Sequence, residues 1–240
     1  MTDDANTPGK PGDEPPALPG KLPLELIAVF ACQLVLVAGL VQLDRIFSLG
    51  GYLHALVGLV FIFLPVFVLD RRGKPYKRYG LTFGKPKSLG IDLLFVLGAI
   101  AICFPPIVLG APTFWGIGER VWSFAWPEGY PGVALSHLLV VALPEEFFYR
   151  GYLMGRLDDI FRGRINLLGA RVGWSLLIQA ALFAVGHFLV DLNPERLGVF
   201  FPALAFGWLR ARRGSIVAPV AFHAAANVFM EVFRAGYGLQ

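Results

Sequence analysis

Four ionisable side chains lie within otherwise apolar stretches in the second half of the chain. Glu145 and Glu146 occur in PEEFFYR, His187 ends FAVGH, and His223 begins HAAAN. An ionisable group at membrane depth costs a few kcal/mol and usually has a function. A carboxylate and an imidazole that share a water molecule form a general base, and a second imidazole with an amide can stabilise an oxyanion. These side chains therefore define a candidate hydrolytic site.

Helical spacing predicts different partners for the two glutamates. Neighbouring residues on a helix point about 100° apart, so Glu145 and Glu146 are not expected to face the same partner. Glu146 precedes Arg150 by four residues, the favourable order for an ion pair, whereas Glu145 remains free to react. Asn227 lies four residues after His223 on the same face. Because no Ser or Cys is spaced like an activated nucleophile beside the histidines, attack by an activated water is favoured over an acyl-enzyme.

The composition is that of a polytopic membrane protein. The chain is 56% hydrophobic and only 16% charged, and the charges cluster between apolar runs. A soluble domain would have about 25% charged residues. Cys32 and Cys103 lie in separate apolar runs, so neither a disulfide framework nor a thiolate metal site is expected. No interleaving of basic and aromatic residues indicates nucleic acid binding.

Seven apolar segments are candidates for spans of a lipid bilayer. Backbone groups must be satisfied internally in lipid, so an all-α bundle of transmembrane helices is predicted. Residues 1–21 are predicted to be a disordered cytoplasmic tail, residues 22–131 a three-span region with an external loop, and residues 132–240 a catalytic four-span region. The predicted spans are Leu24–Leu43, Tyr52–Leu69, Leu89–Leu109, Val133–Leu153, Val172–Val190, Leu197–Leu209 and Ser215–Phe233.

The distribution of Lys and Arg predicts the orientation. Most of them lie in the tail and in the loops that follow the second, fourth and sixth spans. The positive-inside rule therefore places the N-terminus in the cytoplasm and the C-terminus outside, as in a multi-pass protein of the cell inner (plasma) membrane. The loop Ala111–Pro131 is then extracytoplasmic, and its three tryptophans are interpreted as an interfacial anchor.

The depth of His187 is the weakest point of the candidate site. Its predicted distance from the end of its span puts it higher in the membrane than Glu145 and His223. His187 can meet Glu145 and His223 only if the connection Asp191–Arg196 dips below the outer surface of the membrane as a buried polar loop. A catalytic site requires His187 to lie within about 10 Å of Glu145 in some state.

The motifs together resemble a known family, although each alone is weak. A single intramembrane histidine is more often a packing residue, and His137, eight residues before Glu145, is interpreted in that way. However, E-E-x-x-x-R, F-x-x-x-H and H-x-x-x-N, in this order on three late spans, resemble the CPBP family, which includes type II CAAX prenyl endopeptidases and bacteriocin-processing proteins. The resemblance covers about residues 133–233 and implies an intramembrane endopeptidase.

The resemblance also implies a role for each motif residue. Glu145 corresponds to the family's catalytic glutamate and His187 to its partner on the attacking water. His223 and Asn227 correspond to the oxyanion donors. The supporting residues are Glu146, Arg150 and Phe183.

Cofactor and substrate remain open at this point. No cofactor is favoured, and no H-E-x-x-H is present. A divalent metal such as zinc, held by Glu145, His187 and His223, is the alternative. The expected partners are the lipid bilayer and a membrane-associated protein or peptide substrate, with roles in C-terminal processing or sorting or in peptide maturation. The competing interpretation is a non-enzymatic membrane scaffold, immunity protein or transporter, and the oligomeric state is undetermined.

Overall fold

The computed structural model describes residues 21–82, 86–118, 120–126 and 129–239. The predicted tail, residues 1–21, lies outside the described residues apart from residue 21. Long helices make up most of the described chain. They are α1 (Leu22–Phe47), α2 (Gly51–Arg71), α3 (Pro86–Phe114), α4 (Tyr130–Ile160), α5 (Trp174–Asp191), α6 (Phe200–Arg213) and α7 (Val217–Gly236). Short 3₁₀ helices occupy Tyr76–Tyr79 and Pro194–Val199.

The helices agree with a helical membrane bundle. Each of the predicted spans overlaps one of the long helices, and the sixth, Leu197–Leu209, begins within the 3₁₀ helix before α6. By length and apolar composition, α1, α2, α4 and the segment Ser88–Gly110 of α3 could cross a membrane, and Trp174–Val190 of α5 is a shorter apolar helix. The number of spans that cross the bilayer and the orientation of the termini stay predictions.

A small β-hairpin between α4 and α5 was not predicted. The strands β1 (Ile165–Leu167) and β2 (Ala170–Val172) pair antiparallel. The turn residues Leu168 and Gly169 both have positive φ angles, as a tight two-residue hairpin turn requires. The fifth predicted span began at Val172, but this residue belongs to β2, and the helix begins two residues later.

The winding of α4 changes on both sides of the glutamate pair. Two π-helical stretches, His137–Ala142 and Phe147–Leu153, flank the α-helical turn Leu143–Glu146. Pro144 in this turn has no amide hydrogen, so it cannot donate a helical hydrogen bond. Irregular turns of this kind occur frequently at functional sites.

Glycines allow other segments to approach α4 closely. A Cβ at Gly58 of α2 would lie 3.1 Å from the Val140 carbonyl oxygen and 3.2 Å from Cγ of Pro144. On another side of α4, the side chain of Tyr79 fills the space in front of Gly155. These contacts place the second half of α4 at the centre of the fold, where the side chains of Phe148–Leu157 are buried.

A group of ion pairs joins the start of α1 to the end of α4. The Glu25 carboxylate contacts Nη2 of Arg156 at 2.7 Å and Nε of Arg72 at 2.8 Å. Asp159 accepts from Arg156 at 3.1 Å and from Arg78 at 2.7 Å. Carboxylates and guanidinium groups alternate in this network, so each charge has an opposite neighbour.

Candidate active site

His223 lies between the two adjacent glutamates. Its Nδ1 atom is 2.8 Å from Oε1 of Glu146, and its Nε2 atom is 3.8 Å from Oε2 of Glu145. The expectation that Glu145 and Glu146 face different partners is therefore wrong. The two carboxylates do leave the helix in different directions, but an imidazole has a nitrogen on each side, and α7 inserts this ring between them.

Arg150 neutralises the buried Glu146 carboxylate. Its Nη1 atom donates to Oε1 of Glu146 at 2.8 Å, and both side chains are fully buried. The guanidinium carbon lies 4.3 Å from the ring centre of Phe183 and 4.8 Å from that of Phe206. Arginine is suited to such a position because its planar cation can hydrogen-bond at its edge and stack on aromatic faces.

The hydrogen bond of His187 determines which of its nitrogens can react. Nδ1 lies 2.9 Å from the carbonyl oxygen of Phe183, one turn earlier on α5. A carbonyl only accepts, so Nδ1 carries the hydrogen and donates it. In the neutral ring, Nε2 is then an acceptor, and it lies 4.0 Å from Oε2 of Glu145. The structure thus brings His187 well within the distance that a catalytic site requires.

Two carboxylate oxygens of the pair, Oε2 of Glu145 and Oε2 of Glu146, have no hydrogen-bond partner among the described residues, and imidazole nitrogens of both histidines face the one on Glu145. Oε2 of Glu145 is buried from solvent, and the two nearby imidazole nitrogens are too far away for direct hydrogen bonds. Buried polar atoms in proteins normally bind either another protein group or a water molecule. Oε2 of Glu145 therefore has room and hydrogen-bonding capacity for a water molecule between it and the imidazoles.

Of the remaining motif residues, Phe183 packs against the site, and Asn227 has its place on α7, close to His223 in sequence. The Phe183 ring packs against His187 at 4.3 Å between ring centres and meets the His223 ring edge-on at 6.0 Å. Asn227 is half-buried on α7, one turn after His223. His137 does not join the group, since its Nε2 atom faces Glu231 of α7 at 3.9 Å.

Two residues that contribute to the site were not identified from the sequence. Phe206 of α6 stacks on the His223 ring, with ring centres 4.6 Å apart and planes 14° from parallel. Gln179 of α5 donates to the Ala203 carbonyl oxygen, which Arg150 also contacts. The spacing of Ala203 and Gly207, two small residues four positions apart, was the available signal that α6 makes a close helix contact.

The connection after α5 differs from the expected buried loop. Residues 192–198 are exposed in the structure. The Asn193 side chain accepts from the Glu195 amide and caps a 3₁₀ helix, so the polar groups of this turn are satisfied locally. His187 lies 4.0 Å from Glu145 without other elements enclosing this loop, and the depth of the loop in the membrane stays a prediction.

The donor atoms of the site do not have the spacing of a tetrahedral zinc ion. Ligand atoms about 2.0–2.1 Å from zinc lie about 3.3 Å from one another. Oε2 of Glu145 is 3.8 Å from Nε2 of His223 and 4.0 Å from Nε2 of His187. Across the described ranges, no group of three His, Cys, Asp or Glu side chains is placed to hold a metal ion.

Comparison with known proteins supports the motif analysis. No curated protein and no solved structure matches the chain. Residues 127–229, however, match the family model of the Rce1-like proteins, described as type II CAAX prenyl endopeptidase Rce1-like. This stretch contains every residue of the candidate site and confirms the resemblance found in the three motifs. Over residues 127–229, the chain is similar to the Rce1-like family, the type II CAAX prenyl endopeptidases.

Proposed function

We propose that this protein is an intramembrane endopeptidase that hydrolyses a peptide bond in a membrane-associated protein or peptide, using water activated by Glu145 and His187. The observation that carries this proposal is the buried Glu145 oxygen without a hydrogen-bond partner, which two imidazole nitrogens face at 3.8 and 4.0 Å. Two polar atoms about 4 Å apart can both bind one water molecule at about 2.8 Å. Such a water would be held by Glu145 and by His187.

The reaction follows from the hydrogen-bonding capacity of these groups. Glu145 takes a proton from the water as its oxygen adds to the peptide carbonyl carbon, and His187 orients the water through Nε2. The C–N bond then breaks, and Glu145 returns the proton to the leaving nitrogen. The products are a carboxylic acid and an amine, and Glu145 is regenerated as a carboxylate.

His223 and Asn227 would stabilise the oxyanion. Nδ1–H of His223 donates to Glu146, so a protonated ring presents Nε2–H to the reacting oxygen. Glu145, Glu146 and Arg150 together carry one net negative charge, and a proton on His223 makes the group neutral. Asn227, one turn further along α7, would supply a second donor.

The membrane setting and the substrate complete the proposal. The distribution of Lys and Arg supports a cytoplasmic N-terminus and an extracytoplasmic C-terminus in the inner (plasma) membrane. The substrate would be a membrane-associated polypeptide, processed near its C-terminus or matured by cleavage. This assignment uses a metal-free mechanism, since the donor spacing favours water over zinc.

Glu145→Gln is the decisive variant because it preserves volume but removes the base. We expect a folded protein that accumulates in membranes and releases no peptide product. The measurement compares peptides and C-terminally shortened proteins in membranes from wild-type and variant cells by mass spectrometry, which also identifies the substrate. Glu195→Gln is the matched control, since Glu195 lies in the exposed 3₁₀ turn and should leave the products unchanged.

The same experiment separates the protease from a scaffold or transporter. If the polar residues only hold helices together, Glu145→Gln retains function, because an amide can still form hydrogen bonds. An unchanged product profile in folded Glu145→Gln protein would therefore overturn the proposal.

A further inference from the structure

A row of polar side chains extends from the active site along the α4–α7 contact. His223, Asn227 and Glu231 follow one another at intervals of four residues on α7 and so share one helix face. On α4, His137 lies eight residues before Glu145. His223 faces Glu145 at 3.8 Å, and Glu231 faces His137 at 3.9 Å. Two polar pairs therefore bridge the same two helices, about 12 Å apart at about 1.5 Å per residue.

Exposure decreases along this row toward the active site. The Glu231 side chain is 51% exposed and that of His137 is 20% exposed, whereas those of Glu145 and His223 are 15% and 6% exposed. The open end lies where α4 begins and α7 ends. The row thus connects an exposed carboxylate to the buried catalytic one.

Both pairs contain a buried atom that lacks a hydrogen-bond partner among the described residues. In the inner pair it is Oε2 of Glu145, and in the outer pair it is Nδ1 of His137. In addition, the 3.9 Å between Nε2 of His137 and Oε1 of Glu231 is too long for a direct hydrogen bond. Water molecules would satisfy these requirements, because a water can bridge buried polar groups that do not reach one another.

We propose that this row is a water path, entering beside Glu231 and His137 and ending at Glu145. Its use as the source of the reactant rests on the proposed function: each peptide bond cleaved consumes one water, whose hydroxyl joins the acyl carbon and whose remaining proton goes to the leaving nitrogen. A site enclosed by apolar helices requires such a supply. Polar residues at membrane depth are tolerated where they line a hydrated cavity.

A packing role for His137 and Glu231 is the competing explanation, and labelling of a cysteine distinguishes the two. Thiols react as thiolates, so a charged, membrane-impermeant thiol reagent modifies a cysteine only where water is present. Cys32 and Cys103 are free thiols and are first replaced by alanine. The test variant is then His137→Cys, and the control is Leu139→Cys on the same helix.

The water path predicts that the less exposed of the two positions reacts faster. Leu139 is 49% exposed, more than His137, but its surroundings in the bundle are apolar. A water path predicts that the thiol of His137→Cys reacts at least about tenfold faster with the charged reagent than that of Leu139→Cys. If position 137 remains unmodified in folded protein, or if both positions react equally, the path does not exist.

Labelling does not depend on catalysis, so the two proposals can fail separately. If Glu145→Gln leaves the peptide products unchanged but the His137→Cys thiol reacts, the path stands and the protease assignment fails. If Glu145→Gln abolishes the products but the thiol is protected, the protease stands and the water path is wrong.

Discussion

His223 is the residue that gives two adjacent glutamates different tasks. One imidazole nitrogen binds Glu146, which Arg150 already neutralises, and the other faces Glu145, whose oxygen has no other partner in the described part of the chain. Glu146 therefore fixes the orientation of the ring, and Glu145 remains available to water.

Removing the charge of Glu146 should destabilise the protein strongly. Glu146→Gln leaves the fully buried Arg150 guanidinium without its counter-ion, and breaking a buried pair in this way costs about 3–5 kcal/mol. The free energy of unfolding, measured by denaturant titration in detergent micelles, reports the loss. The double variant Glu146→Gln/Arg150→Met removes both charges and should recover part of this energy. Equal stability of Glu146→Gln and wild type would show that the pair is not buried as described.

Phe206 is expected to act as a positioning residue for His223. Phe206→Leu removes the ring that stacks on the imidazole, an interaction worth about 0.5–1.5 kcal/mol, so kcat should fall up to about tenfold while KM changes little. Phe206→Tyr keeps the aromatic face and should restore most of the rate. Phe201→Leu on the exposed side of the same helix is the control. A loss of stability with unchanged kcat in the folded fraction would assign Phe206 a structural role only.

The sequence predicts the identities of the site residues better than their connections. The ionisable residues stand out because they interrupt apolar runs, and helical spacing predicts the Glu146–Arg150 pair. Phe206 and Gln179 carry no comparable signal, since an aromatic ring or an amide in a helix has many possible neighbours. The contact between His223 and Glu146 joins residues 77 positions apart, and it depends on how α7 packs against α4.

At the scale of elements, α4 combines an irregular winding with close glycine contacts. Its GYLMG segment places Gly151 and Gly155 four residues apart, and the loop after α2 inserts Leu81 and Tyr79 in front of them. Tyr79 is fully buried there, and burial, together with the nearby Asp159 carboxylate, raises the pKa of its hydroxyl above the ordinary value. The hydroxyl therefore remains neutral as it contacts Asp159 and Arg156.

Gly155→Ala should destabilise the fold although alanine favours helices. A Cβ at this position would lie 2.5 Å from the Tyr79 ring, which is held in place and cannot move away easily. Gly98→Ala on α3 is the matched control, because nothing described lies within 4 Å of that Cβ, and the change should stabilise by up to about 1 kcal/mol. The two melting temperatures in the same detergent are compared. If both substitutions shift the melting temperature in the same direction, Tyr79 does not pack against Gly155 as the structure indicates.

The elements themselves were largely predictable, and the exceptions have local causes. Long apolar runs specify helices because lipid leaves the backbone no other partners. The hairpin between α4 and α5 is too short to show an alternating pattern, and its turn depends on one glycine and on a hydrogen bond from the Gly169 amide to the Asn166 side chain. The π-helical turns of α4 flank the turn that contains Pro144, and a helical periodicity does not reveal such changes of winding.

For the whole molecule, the region before the family match contributes directly to the position of α4. The match begins at residue 127, yet Glu25 of α1 binds Arg156, and Gly58 of α2 contacts the turn that carries the glutamates. The helices outside the matched stretch therefore support the glutamate-bearing helix from two sides. The division into an N-terminal and a catalytic region stays a prediction, since the structure packs these helices against one another.

A double-mutant cycle measures this support. Glu25 and Arg156 form a pair of side chains that are each less than a tenth exposed, so Glu25→Gln and Arg156→Met should be non-additive, with a coupling free energy of about 1–3 kcal/mol in denaturant titrations. Part of each single loss comes from the partner charge left behind in a poorly solvated position. A second cycle combines Glu25→Gln with Arg234→Met, which lies near the end of α7 at the opposite end of the bundle, and there the effects should add. Additivity in both cycles would mean that the ion pair does not contribute to the packing of α1 on α4. The helices before residue 127 would then hold the site through apolar contacts alone.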